Sequence, residues 1–79
     1  MMIYPRRAGG FLIVKDVQGH RHAIRLGAVS AICDADEDGA ETVITLYGGR
    51  NAVKVAHSFE AVTDEILEPA PRPTPSSHG

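Results

Sequence analysis

The chain has 79 residues, with eight Lys or Arg against ten Asp or Glu, a formal charge of −2 and one cysteine. That length allows one domain, a lone cysteine excludes an internal disulfide, and no stretch approaches the run of about 20 apolar residues that a membrane helix needs. The near-neutral charge excludes no partner class, so its distribution matters more than its sum.

Residues 1–10 carry Arg6 and Arg7, and no apolar run of signal length follows before Lys15 and Asp16. They read as a flexible N-terminal arm rather than a leader. An unpaired thiol suits a reducing compartment, so a cytoplasmic protein of bacterial or phage type is expected. Residues 11–67 form the single β-rich domain, and residues 68–79 a disordered Pro-rich tail whose prolines are spaced by two, unlike PxxP ligands. A domain of about 57 residues buries only about 60% of its unfolded surface, and partner chains are a common remedy for such small cores.

Residues 11–17 are apolar and β-branched, the first predicted strand; residues 20–26 alternate and form the second. With Gln18-Gly19 as a two-residue hairpin loop, Phe11 faces Leu26 and Ile13 faces Ile24. Leu12 with Arg25 and Val14 with Ala23 then share the other side, and Asp16 lies opposite Arg21 as an opposite-charge pair. After Gly27, residues 28–34 form a third strand, followed by an acidic loop over residues 34–41. Residues 42–47 and 51–56 are the fourth and fifth strands around Gly48-Gly49. Their register sets Ile44 against Val53, Leu46 against Asn51 and Thr42 against Val55. Val43 with Lys54, Thr45 with Ala52 and Tyr47 with Arg50 occupy the opposite side. Ser58 is a helix N-cap, Glu60 lies in the first turn where the helix dipole favours an anion, and Phe59, Val62, Ile66 and Leu67 make an apolar stripe. Pro69 ends the helix.

The expected fold is α+β: a five-stranded, mostly antiparallel sheet of β-hairpins, open or rolled into a small barrel, with one short C-terminal helix. Phe11, Ile13, Ile24, Leu26, Ile44, Leu46, Val53 and Val55 form the face the helix covers. A helix over residues 59–67 is about 14 Å long, whereas five strands span about 19 Å. The second face keeps Leu12, Val14, Val43 and Tyr47 with little to cover them, beside Arg21, Arg25, Arg50 and Lys54. Barrel closure or another molecule, often a second copy, would shield it; the plainer alternative is a solvated face with a few tolerated apolar residues. The residues expected to bind a partner are Arg25, Val43, Tyr47, Arg50 and Lys54. The expected function is non-catalytic protein binding or self-assembly, as a homodimer or with another protein. Nucleic-acid binding through the same cations is the alternative, although Tyr47 is the only aromatic on that face and the acidic loop and helix oppose it.

Other motifs have plainer readings. Asp34, Asp36 and Asp38 with Gly39 match the first half of a calcium loop, but Thr45 stands where the bidentate glutamate belongs, so the segment reads as a solvated loop. His20 and His22 lie two apart on one strand face, a spacing that can chelate zinc or nickel with His57 as third ligand; no fourth ligand presents itself. Cys33 reads as buried packing. Ser58 beside His57 is explained by capping, and sequence adjacency is not triad geometry. No enzyme activity, cofactor or resident metal is expected.

Residues 41–67, with Thr42-Val-Ile-Thr-Leu46, the Gly48-Gly49 turn, the Val53–Val55 strand and the Ser58-led helix, resemble the second half of the small FlbD-type flagellar and swarming-motility proteins. Val17-Gln18-Gly19 looks like their first turn, so the likeness spans residues 11–67. The N-terminal extension, acidic loop and proline tail depart from that family, which supplies no motif-defined catalytic residues. The strand pattern is also similar to part of a LytTR-type DNA-binding domain, which would continue with strand and loop where this chain has its tail.

Overall fold

The computed structural model describes residues 3–48 and 51–67. Six strands and one helix follow in chain order: β1 (Arg6–Ala8), β2 (Phe11–Lys15), β3 (Arg21–Arg25), β4 (Val29–Asp34), β5 (Thr42–Leu46), β6 (Ala52–Val55) and α1 (Phe59–Ile66), with a 3₁₀ turn at Leu26–Ala28. The α+β class is as expected, but the strands form two three-stranded antiparallel sheets, ordered β1-β2-β3 (sheet A) and β4-β5-β6 (sheet B), in place of one five-stranded sheet, and no closed barrel. The sheets meet at one bridge, Asp16 to Val55. Beside it the Val17 N–H donates to the Lys54 carbonyl at 3.0 Å and the Ala56 N–H to the Lys15 carbonyl at 3.1 Å.

The division has a local cause. Gly9, at φ +61°, and Gly10 turn residues 6–8 back onto β2, a two-residue loop of the kind glycine pairs favour. Those residues belong to the segment assigned to a flexible arm, yet they occupy most of one β2 edge. Only the last residues of that edge are left to meet β6.

The first hairpin departs from its expected register by one residue. Phe11 pairs with Arg25, Leu12 with Ile24, Ile13 with Ala23, Val14 with His22 and Lys15 with Arg21. The loop therefore holds three residues, Val17-Gln18-Gly19, not two. The Gly19 N–H donates to the Asp16 carbonyl at 2.9 Å, and Gly19 at φ +90° supplies the left-handed step that closes such a loop. Asp16 Oδ1 accepts from the Gln18 and His20 N–H groups, both at 2.9 Å, which holds the longer turn. A one-residue slip exchanges the two sides of a strand. Leu12 and Val14 are thus fully buried, while Phe11 is 40% exposed and Ile13 half-buried. Lys15, not Asp16, stands opposite Arg21.

The second hairpin matches expectation: Thr42 pairs with Val55, Val43 with Lys54, Ile44 with Val53 and Thr45 with Ala52. On its other side β4 adds Ile32 opposite Ile44 and Cys33 opposite Val43. Ser30 is the extra residue at an irregularity between Val29 and Ala31, and its hydroxyl donates to the Thr45 carbonyl at 3.1 Å. Cys33 is exposed, against the expectation of buried packing, because it shares the outward side of sheet B with Val43.

Ser58 caps α1 as expected; its Oγ accepts from the Ala61 N–H at 3.1 Å. The helix packs against β4 and β1, one strand from each sheet, and Val62 enters the core between them. That core is Leu12, Val14 and Ile24 from sheet A, Ile44 and Val55 from sheet B, and Val62 from α1. Leu67 stands 66% exposed, so the predicted stripe ends at Ile66. Thr42 is fully buried and satisfied, donating its hydroxyl to the His57 carbonyl at 2.7 Å. The helix serves both inner faces at once, which leaves both outer faces without a layer among the described residues.

Candidate functional site

Strand alternation decides what each outer face carries. On sheet A the buried Leu12, Val14 and Ile24 alternate with side chains that leave the core. From β2 these are Phe11, Ile13 and Lys15; from β3, Arg21, Ala23 and Arg25. β1 adds Arg6 opposite Ile13. Lys15 Nζ lies 5.5 Å from the Tyr4 ring centroid and Arg25 Cζ 5.7 Å from that of Phe11, both within cation–π range. Beside this face lies a shallow depression of about 570 Å³ bordered by Tyr4, Ile13, His20, Arg21 and Ala23.

On sheet B the middle strand β5 sends Val43 and Thr45 outward, and Tyr47, in the turn just after it, is 70% exposed. Ala31 and Cys33 on β4, and Ala52 and Lys54 on β6, stand opposite Thr45 and Val43. Apart from Lys54, this face carries small or apolar side chains and Thr45, with Tyr47 beyond the end of β5.

The residues expected to form one partner surface are therefore divided. Val43, Tyr47 and Lys54 share the outer face of sheet B, whereas Arg25 and Arg21 belong to sheet A. Arg50 lies outside the described residues. Sequence reasoning missed Tyr4, Arg6, Phe11 and Lys15 as companions of Arg21 and Arg25. The signal was Gly9-Gly10, which marks a hairpin and brings β1 alongside β2.

The histidines and the acidic loop have internal tasks. His22 Nε2 lies 2.7 Å from Asp16 Oδ2, and His20 Nδ1 3.8 Å from the same oxygen. His57 Nε2 accepts from the Lys15 N–H at 3.1 Å, and burial holds its pKa below the usual 6.5. Asp36 Oδ1 accepts from the Gly39 and Ala40 N–H groups at 3.0 and 3.1 Å, a loop cap, while Asp34 pairs in β4 with Thr42. Among the described residues no group of three His, Cys, Asp or Glu side chains is placed to hold a metal ion.

Asp16 organises the sheet junction, and its pKa is lowered from 3.8 to about 2, chiefly by the hydrogen bond with His22 and then by the His20 N–H. A carboxylate that ionises more readily in the folded state stabilises it above the unfolded pKa, and that stability is lost as pH falls through the folded value. We expect Asp16→Asn to melt below the wild type at neutral pH. The gap should shrink between about pH 3.8 and pH 2, followed by circular dichroism. A gap unchanged down to pH 2 would mean that the charge on Asp16 does not hold the turn.

Comparisons with protein-family models, with curated proteins and with solved structures found no match to this chain.

Proposed function

We propose that this protein is a non-catalytic assembly module that pairs with a second copy of itself through the outer face of sheet B. The observation that carries the reading is the outward pair of the middle strand, Val43 and Thr45, flanked by Ala31, Cys33 and Ala52 and followed in the next turn by the exposed Tyr47. Small flanking residues let a second sheet approach to about 10 Å, the spacing of a β-sandwich. A two-fold axis between the sheets and across β5, passing near Thr45, would seat Tyr47 of each copy over Val43 of the other. Isologous pairing of that kind is the commonest route to a dimer. Lys54 sits at the rim, where a charge influences association rate more than affinity. The buried core is six apolar side chains, and a second copy would add apolar burial to a domain of this size. The resemblance of residues 41–67 to the FlbD-type proteins agrees with a role that needs no catalytic residues.

Light scattering tests the proposal. The wild type should run as a dimer at micromolar concentration. A Val43→Glu, Tyr47→Glu double variant, with unchanged circular dichroism, should run as a monomer. A monomeric wild type, or a variant of undiminished mass, overturns it.

A further inference from the structure

The outer face of sheet A carries a feature that costs the free protein stability. Lys15 and Arg21 are directly opposite each other in the β2–β3 register, and like charges so placed are unfavourable. Arg6 and Arg25 lie on the same side. Among the described residues none of these four cations has a carboxylate partner. Among the described residues Asp34, Asp36, Glu37, Asp38 and Glu41 lie at or near the β4–β5 loop and Glu60 and Asp64 on α1, while Glu65 of α1 reaches sheet A, its Oε1 accepting from the Arg7 N–H of β1 at 2.9 Å. Asp16, nearest in sequence, turns its carboxylate to His22 and the hairpin N–H groups. A chain of net charge −2 thus gathers Arg6, Lys15, Arg21 and Arg25 on one sheet face, between Phe11, Ile13 and Ala23.

Two aromatic rings complete it. Phe11 is 40% exposed and directly opposite Arg25, and Tyr4 lies beneath the Lys15 ammonium. Arg21 and Arg25 are about 13 Å apart along β3, so the cations form a track rather than a point. A flat sheet with cations spaced along it and rings between them is how single strands are held without sequence readout: phosphates follow the charges and bases stack on the rings. Base readout in a duplex needs an element that enters a groove, whereas the rings of this face offer surfaces on which unpaired bases stack. We infer that the outer face of sheet A binds single-stranded nucleic acid, with Arg6, Lys15, Arg21 and Arg25 on phosphates and Tyr4 and Phe11 on bases. This surface is separate from the sheet B face, and its test does not depend on self-association.

The test is fluorescence anisotropy of the full chain against labelled oligo(dT) of about 12 nucleotides, titrated between about 50 and 200 mM salt. Binding should weaken with salt at a log–log slope of about −2 to −3, since each phosphate contact on a single strand contributes about −0.7. Arg21→Ala, Arg25→Ala should weaken binding at least about tenfold and flatten the slope by about 1.4, two contacts' worth. Phe11→Leu should weaken it about fivefold or more with the slope unchanged, because stacking is not an ionic contact. Circular dichroism confirms that each variant is folded. Several results overturn the inference: no anisotropy change with oligo(dT), equal affinity for a duplex of the same length, or undiminished binding by Arg21→Ala, Arg25→Ala. Retention on poly-glutamate or on phosphatidylserine vesicles without retention of oligo(dT) overturns it too, in favour of an acidic protein or a membrane surface.

Discussion

Leu12→Ala is expected to destabilise the domain by about 3 kcal/mol, the mid-range for a fully buried leucine that leaves a cavity. Leu12 is 0% exposed and packs with Val14, Ile24, Ile44, Val55 and Val62, so elements of both sheets and the helix lose contacts together. Ile13→Ala, one residue along and on the outer face of sheet A, should cost less, about 1–1.5 kcal/mol, because its side chain is only partly buried and leaves no enclosed cavity. Domains of this length hold roughly 4–10 kcal/mol in total, so Leu12→Ala should remove a large share of the stability and Ile13→Ala should not. Urea unfolding followed by far-ultraviolet circular dichroism gives both values. The reverse order, with Ile13 the costly site, would restore the two-residue loop and return Phe11 and Ile13 to the core.

The second large effect concerns the helix. Val62→Asp should abolish cooperative folding: Val62 is 0% exposed, and a carboxylate there has no partner to offset its desolvation, which costs several kcal/mol. Leu67→Asp lies on the same sequence stripe but is 66% exposed, so its midpoint should stay within about 0.5 kcal/mol of the wild type. Thermal melts of the two variants decide the matter. Cooperative folding in Val62→Asp would mean that α1 does not close the space between the sheets.

The two hairpins show why one register was legible and the other was not. In the second, Thr42, Ile44, Val53 and Val55 alternate with Val43, Thr45, Ala52 and Lys54, and burying Ile44 with both valines leaves the lysine in water. Only one phase does that, so the pairing follows from pattern. In the first, Phe11-Leu12-Ile13-Val14 is apolar without a break, and either phase buries two large side chains. Loop length then decides, and the loop is set by one side chain: Asp16 accepts from two N–H groups of the longer turn. The expected partner surface was misjudged for the same reason. A shifted β2 moves Phe11, Ile13 and Lys15 outward and Leu12 and Val14 inward, which sets an exposed phenyl ring among the cations of that face.

Local chemistry, written in single residues, settled the left-handed glycine steps at Gly19 and Gly48, the Ser58 cap, the second hairpin's pairing and the α+β class, and it excluded an internal disulfide. These depend on neighbours a few positions apart, and their energies do not wait for the rest of the chain. The tertiary structure alone decided that two sheets share one helix and that Arg25 and Lys54 lie on different surfaces. Each of those outcomes turns on which of two nearly equivalent apolar sides of β2 meets Ile44, Val55 and Val62, and such a choice is made only when the whole core packs at once.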